Sequence, residues 1–326
     1  MRVLVTGITG FVGGHFAELA LKQGVEVFGS RRPGTGADGG HADALDGRVR
    51  LIECELCDPG SVSRLLEAAR PDAMLHLAAQ SSVAASWRRP ADTFQDNVIA
   101  QVNLLEAIRA GGTAPRMVIA GSADEYGWAE PHELPLAETA PFRPLSPYAV
   151  SKVAQDLMGY QYFKSFRLPI VRSRAFPHEG PRRSPEYAMS SWARRVAEIE
   201  AGRQPPVIDV GNLEARRDYT DVRDVVRAYW LLLSDGQPGE AYNVCSGRAW
   251  QMRDVLGFLL GEARVRPIQV REDPDRLRPS DAPVLVGDGT KIARAVGWRP
   301  EIPFEQTLRE VLDYWRERVR QRPVEP

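Results

Sequence analysis

The chain has only three cysteines and five histidines in 326 residues, and no surplus of either charge: Lys and Arg number 42, Asp and Glu 43. Cys54, Cys57 and Cys245 are too few for a disulfide framework, so a reducing cytoplasm is the expected location. Cys54 and Cys57 form a C-x-x-C pair, but they bracket the end of an apparent strand instead of opening a helix. A zinc site needs further ligands at suitable spacing, so no metal is expected. Balanced charge argues against bulk nucleic-acid binding, which rests on a basic excess. No apolar run is long enough to span a bilayer. The first residues enter a strand without the basic and apolar regions of a secretory signal. Repeats and low-complexity tracts are also missing.

What the chain does have is a regular alternation of short apolar runs and helical patterns. Val3–Thr6, Val25–Gly29, Val49–Cys54, Ala73–Leu77 and Arg116–Ala120 read as strands. Between them Gly13–Gln23, Pro59–Ala69 and Thr93–Ala110 read as helices, with a Gly- and Asp-rich loop from about Pro33 to Gly47. The strands are continuously apolar, as buried parallel strands are. Repeated βαβ units of this kind build an α/β fold, a Rossmann doubly wound parallel sheet. After residue 176 Pro, Arg and Glu become frequent and the alternation weakens. Val222–Leu233 is an amphipathic helix, Glu240–Cys245 a late strand and Phe304–Arg318 a final helix. The expected division is residues 1–176 with 213–248 as a dinucleotide-binding domain, and 177–212 with 249–326 as a smaller α/β substrate-binding lobe.

Thr6–Gly13 reads TGITGFVG, with Gly7, Gly10 and Gly13 between a strand and a helix. Gly7 permits a tight turn, Gly10 lets backbone N–H groups approach a pyrophosphate, and Gly13 lets the helix pack on the strand. The helix N-terminus then faces the anion with unsatisfied donors and a favourable dipole. At the end of the second strand an acidic residue would hold ribose hydroxyls and select NAD. This chain has Ser30, Arg31 and Arg32 there. Two guanidinium groups suit a 2′-phosphate; the alternative is that both are solvated loop charges. NADP(H) is therefore the preferred cofactor, with NAD(H) possible.

Tyr148 and Lys152 stand at i and i+4, stacked one turn apart if the segment from Pro147 is helical. A nearby ammonium favours phenolate and would bring the tyrosine's pKa down into a useful acid–base range. Ser122 follows the strand Arg116–Ala120, at the sheet edge where doubly wound proteins bind ligands.

TGITGFVG, HLAAQSSV, GSADEYG and YAVSK, in this order, resemble the extended short-chain dehydrogenase/reductases over essentially the whole chain. The resemblance implies that Ser122 and Tyr148 hydrogen-bond the reacting carbonyl or hydroxyl, and that Lys152 tunes Tyr148 and holds the nicotinamide ribose. It places Thr9, Phe11 and Val12 in the phosphate turn with the three glycines. Leu77, Ala78 and Ala79 would line the cofactor groove, with Gln80 near the nicotinamide end. Glu55 and Leu56 stand where relatives carry an adenine-contacting Asp-Leu or Asp-Ile. Two long helices, here near Thr93–Ala110 and Pro147–Phe166, would pair across a two-fold axis into a homodimer with a four-helix bundle. The second carries Leu157, Met158, Tyr162 and Phe163.

Gly211–Asp224 and Arg276–Asp288 further resemble enzymes acting on GDP-linked deoxyhexoses, the GDP-mannose 4,6-dehydratases and, more closely, the GDP-6-deoxy-D-mannose reductases. Arg217 and Arg278 would clamp the diphosphate, with Arg216 beside them, and Ser280 and Asp281 would meet a ribose hydroxyl. Alternatively these arginines pair with Asp218, Asp221, Asp224, Asp275 and Asp281. In the dehydratases a Thr is followed two positions later by a Glu that moves the C5 proton. Ser122 and Asp124 correspond here, and Asp is one methylene shorter. Glu125 is adjacent, and both acids are candidate substrate contacts. Pro177 replaces a substrate-touching Asn, while His178, Glu179 and Trp87 are expected to pack or line the pocket. The expected activity is NADPH-dependent reduction of the C4 ketone of a GDP-4-keto-6-deoxyhexose, giving GDP-D-rhamnose. A dehydratase or epimerase is the alternative, and a catalytically silent dinucleotide binder the alternative from another class.

Overall fold

The computed structural model describes residues 1–34, 45, 47–112, 114–277 and 281–321. Most of the expected loop from Pro33 to Gly47, together with Arg278 and Ser280, lies outside the described residues.

Six strands follow in chain order: β1 (Arg2–Thr6), β2 (Glu26–Arg31), β3 (Arg50–Glu53), β4 (Ala73–His76), β5 (Arg116–Ser122) and β6 (Ile170–Ala175). With Ala241–Val244 they form one parallel sheet, running from Ala241–Val244 through β6, β5, β4, β1 and β2 to β3. The strand order reverses between β1 and β4, and a crevice opens at such a switch point. Register brings Thr6 level with Ser30 and His76, and Ser122 level with Ala175. The carboxyl ends of five strands therefore share one rim. Val3, Leu4 and Val5 are buried in β1, as are Met74 and Leu75 in β4, because helices cover both sheet faces.

Helix α1 (Phe11–Lys22) and the helix Val222–Asp235 cover one face. Pro59–Ala69, Ala100–Ala110 and Pro147–Phe166 cover the other. Pro59–Ala69 begins where the sequence placed it, because Asp58 accepts hydrogen bonds from the N–H groups of Gly60 and Ser61 and Pro59 needs no partner for its nitrogen. Ser146 caps Pro147–Phe166 in the same way through Ala149.

The expected helix Thr93–Ala110 is helical throughout but not regular. It opens at Pro90–Phe94, passes through a π turn at Gln95–Ile99 and resumes at Ala100–Ala110. A short helix, Val83–Arg88, precedes it, with Ser82 as its cap.

A second core joins the helices Ala188–Glu200, Met252–Gly261 and Phe304–Gln321. Beside it Val207–Val210 pairs with Gln269–Glu272, and Arg216–Asp218 pairs with Ala249–Gln251 and Val284–Leu285. Packing crosses the expected limits of the two units. Leu213 and Ala215 belong to the second core, and Ile292 and Trp298 to the first.

Candidate active site

A cleft of about 1550 Å³ follows the sheet rim and continues between the two cores. At one end lies the glycine-rich turn. Gly7 has φ +73°, and a Cβ on it would sit 2.9 Å from the backbone nitrogen of Ala78. A Cβ on Gly13 would lie 2.3 Å from the carbonyl oxygen of Gly7, so only glycine lets α1 start this close to β1. Gly10 caps α1 without a side-chain partner, which leaves the first N–H groups of the helix for an anion. This cradle fits the pyrophosphate of a dinucleotide. Thr9, Phe11 and Val12 line it, and Leu77, Ala78, Ala79 and Gln80 form the facing wall.

Phe11 stacks on His178, with ring centroids 6.2 Å apart and planes 8° from parallel, and Arg183 lies over its ring. Burial holds the His178 imidazole near a pKa of about 4, so it is a neutral packing group. Gln80 is held by Thr93, through its side-chain amide at 3.1 Å, and by Asn97, which accepts from its backbone N–H at 2.7 Å.

The adenosine end is more charged. Ser30, Arg32, Glu55 and Leu56 line the cleft, together with Cys54 and Cys57, whose thiols burial pushes up. Arg32 reaches Asp96 at 3.1 Å and Glu55 at 3.4 Å. Arg31 is paired with Glu53 at 2.9 Å and does not line the cleft. In this structure its guanidinium stands against the neighbouring strand β3. Among the described residues no group of His, Cys, Asp or Glu could hold a metal ion.

At the rim of β5 the three groups expected to react converge. Tyr148 and Lys152 occupy the first turns of Pro147–Phe166, and Tyr148, Lys152 and Ser122 all line the cleft. Lys152 donates to the carbonyl oxygen of Ala120 at 2.8 Å. Burial moves its ammonium down to a pKa of about 8, opposed by Glu125. The expected lowering of Tyr148 is not what the structure gives. Burial and then the charge of Asp124 push the phenol above its usual range, outweighing the lowering by the Ser122 hydroxyl. Asp124 lines the cleft, whereas Glu125 does not. Glu125 is fully buried and turns under the strand end, where its Oε1 accepts from the backbone N–H of Ser122 at 2.7 Å. A direct contact between Glu125 and substrate is therefore ruled out by its position.

The far end of the cleft is lined by Gly211, Asn212, Arg217 and Asp281. Arg217 pairs with Asp281, while Arg216 is exposed and away from the cleft. Three other acids of this segment, Asp218, Asp221 and Asp224, are bonded within the protein. Asp218 accepts from the N–H groups of Ser246, Gly247 and Gly287. Asp221 caps Val222–Asp235 and takes Thr307, and Asp224 accepts from Glu301 and Ile302. All three are buried and tie the two cores together.

The model of the GDP-mannose 4,6 dehydratase family matches residues 4–311. A GDP-6-deoxy-D-mannose reductase of Pseudomonas aeruginosa is 34% identical over 98% of this chain and 99% of its own length. A GDP-mannose 4,6-dehydratase of Yersinia enterocolitica is 29% identical, covering 95% of this chain and 92% of that one. A solved structure of RMD from Pseudomonas aeruginosa complexed with NADPH superposes with a TM-score of 0.83 at 31% identity, covering 98% of this chain and all of that one. The chain belongs to the GDP-mannose 4,6-dehydratase family.

Within this family member, one residue of the site escaped the sequence reading. Asn97 sits in the π turn, fully buried, and donates to Ser151 at 2.9 Å and to the Gln80 carbonyl at 3.1 Å. Ser151 in turn donates to the carbonyl of Tyr148 at 2.7 Å, so Asn97 links the cofactor wall to the reacting helix. π turns inside α-helices concentrate at such places. The signal available was a row of polar residues, Thr93, Asn97 and Gln101, spaced one turn apart. Trp87, expected to pack or line the pocket, is 40% exposed and lines the cleft.

Proposed function

We propose that the chain is an NADPH-dependent reductase acting on the C4 ketone of GDP-4-keto-6-deoxy-D-mannose and forming GDP-6-deoxy-D-mannose (GDP-D-rhamnose). The arrangement of carboxylates after Ser122 carries this reading. Glu125 is buried beneath the strand end, and Asp124, which faces the cleft, is one methylene shorter than a C5 proton transfer favours. A reductase needs neither. Bound NADPH would supply the hydride. Ser122 donates a hydrogen bond to the ketone oxygen, and Tyr148 gives its phenolic proton to that oxygen as it becomes an alkoxide. The Lys152 ammonium stabilises the phenolate left behind and holds the nicotinamide ribose. Gly7, Gly10 and Gly13 cradle the pyrophosphate, with Arg32 at the 2′-phosphate and Arg217 and Asp281 at the sugar nucleotide.

The purified chain incubated with the ketosugar and NADPH should consume reduced nicotinamide and yield GDP-D-rhamnose. A chain that leaves the ketosugar untouched, but converts GDP-mannose to a ketosugar with no cofactor added, is a dehydratase instead. That second reading is favoured by Asp124 standing in the cleft beside Tyr148. A silent binder would retain its biological role in a Tyr148→Phe variant, whereas a reductase loses roughly 100- to 10,000-fold in turnover.

The reading includes a catalytic unit of two lobes in a reducing cytoplasm, consistent with three free thiols. No helix among the described residues is long and apolar enough to cross a membrane. It also includes a homodimer: Ile99, Val150, Leu157, Tyr160 and Phe166 leave apolar surface exposed along the two long helical segments. Light scattering at micromolar concentration that gives a monomer mass removes that part.

A further inference from the structure

The turn of residues 180–183, which follows the short strand His178–Glu179, is tied to α1 by contacts that the proposed chemistry leaves unused. It is closed by the Arg183 N–H, which donates to the Gly180 carbonyl at 3.3 Å. Arg182 stands at φ +76°, a left-handed backbone that residues other than glycine rarely adopt, so its surroundings must hold it there. The holding contacts come from α1. Arg182 donates to both carboxylate oxygens of Glu18, at 2.5 and 3.0 Å. Its Nη2 lies 2.8 Å from His15 Nδ1 and 3.4 Å from Nε2, and His15 Nε2 is 3.1 Å from the Pro181 carbonyl oxygen. These partners fix the state of the ring, because a guanidinium can only donate and a carbonyl only accept. Nδ1 receives from Arg182, while Nε2 carries the hydrogen and donates to Pro181: the imidazole is neutral. A second proton, on Nδ1, would set an N–H against the guanidinium and break the tie.

The next residue connects this tie to the cofactor. Arg183 lines the cleft, its guanidinium carbon 4.8 Å from the centre of the Phe11 ring and 3.6 Å from that of Tyr187. Arg183 Nε is buried without a hydrogen-bond partner among the described residues. Phe11 is the first residue of α1, beside the phosphate cradle, and it meets His15 edge to face with ring centroids 5.4 Å apart. The turn held by His15 thus carries a cation to the wall of that cradle. Resting on the reading of the cradle as a dinucleotide site, we infer that His15 is a positioning residue. Its neutral imidazole latches residues 180–183 onto α1 and so holds the Arg183 side of the cofactor cleft, and protonation of the ring opens the latch.

The charged and titratable groups around the ring come from four elements. α1 supplies Glu18 and, two turns along, Lys22, and the turn supplies Arg182 and Arg183. The short strand supplies His178 and Glu179, both drawn toward their neutral forms by burial. The helix Val222–Asp235 packs along α1, but Asp221, Arg223, Asp224 and Arg227 are committed to one another and to Glu301 and Glu310. Glu18 neutralises Arg182, yet it leaves the guanidinium N–H that faces Nδ1 in place. Acidification should therefore weaken the latch through His15.

The test is NADPH affinity of the full chain, followed by nucleotide fluorescence between about pH 5 and 8, with thermal midpoints recorded alongside. His15→Gln keeps one donor and one acceptor but takes no proton, so it should bind like the wild type at pH 8. Between pH 8 and 5 the wild type should lose ~3- to 10-fold more affinity than this variant. The 2′-phosphate and Glu179 titrate in the same window in both proteins, so the difference between the two isolates His15. His15→Leu, with neither donor nor acceptor, should bind ~10-fold more weakly at pH 8 and show the flatter acid limb. Should either His15 variant not fold, Arg182→Met cuts the latch from the other side and should likewise lower affinity at pH 8 and flatten the acid limb. A folded Gln variant with the wild-type acid limb overturns the inference, as does a Leu or Met variant with wild-type affinity at pH 8. A wild type that binds no NADPH at pH 8 sinks the cofactor reading and the latch with it. Failure to turn over the ketosugar touches the substrate reading alone, because NADPH binding is measured without it.

Discussion

The two ends of the cleft are built from different materials. At the dinucleotide end the surface that fits the ligand is backbone: three glycines, a helix start and the strand rim. At the sugar-nucleotide end it is side chain, and the cation there is already neutralised, Arg217 by Asp281. A backbone cradle has its shape before the ligand arrives. A paired arginine must exchange one anion for another, so its net gain is the difference between two charge-assisted interactions. Changes at the first end should therefore be nearly all-or-none, and changes at the second graded.

The sharpest way to break this contrast is Gly13→Ala. Its Cβ would meet the Gly7 carbonyl oxygen at 2.3 Å and the Ile8 Cα at 2.6 Å, backbone atoms that cannot swing aside. Overpacking of this kind costs ~1–3 kcal/mol, and the distorted turn should weaken NADPH binding roughly 100-fold. Isothermal titration and a thermal melt check both. Near-normal affinity would mean that the turn adapts, and the two ends would not differ in kind.

The same contrast explains what the sequence revealed. Gly7, Gly10 and Gly13 are local: their spacing between a strand and a helix implies their geometry, and the structure places all three where the pattern put them. Pro59–Ala69 was readable for the same reason, because its cap and first proline are neighbours in the chain. The pairing of Arg217 with Asp281 spans 64 positions and could not be chosen from among the five nearby acids. The pairing of Arg31 with Glu53 was likewise not legible, because Glu53 sits on a neighbouring strand. Asn97 was missed because a π turn shifts which face of a helix a residue occupies, and no periodic pattern carries that shift.

At the seam between the ends lies Glu179, 3% exposed, with Oε1 unpartnered among the described residues. Burial raises its carboxyl to a pKa of about 7, against the opposing charge of Arg183. The folded chain then holds this proton more tightly than the unfolded chain does. The resulting stability is fully present below the unfolded value near 4.5 and is lost as pH rises through about 7. Glu179→Gln should be close to the wild type in stability near pH 5, and exceed it near pH 8 by on the order of 2 kcal/mol, read as a higher thermal midpoint. Equal midpoints at both pH values would show that the junction tolerates the charge.

A graded response is expected from Arg217→Lys. Lysine keeps the charge but loses the fork that holds Asp281 and would hold a diphosphate, so KM for the sugar nucleotide should rise ~10-fold while NADPH affinity stays unchanged. Weakened NADPH binding in that variant would show that the two ends communicate.

The smallest effect is expected where the cofactor end itself turns from backbone to side chain. Arg32 lines the cleft, yet its guanidinium is 54% exposed and shared between Asp96 and Glu55. A 2′-phosphate at that place would have to displace one carboxylate, so its net gain is modest. Arg32→Ala should narrow the preference for NADPH over NADH by ~3- to 10-fold, measured as the ratio of kcat/KM. Arg31→Ala should leave the ratio close to wild type, because Arg31 is committed to Glu53 outside the cleft. An equal loss in both variants would mean that Arg31 leaves its strand partner when the phosphate binds. The dinucleotide end would then share, at its outer edge, the exchange of partners that governs the sugar-nucleotide end.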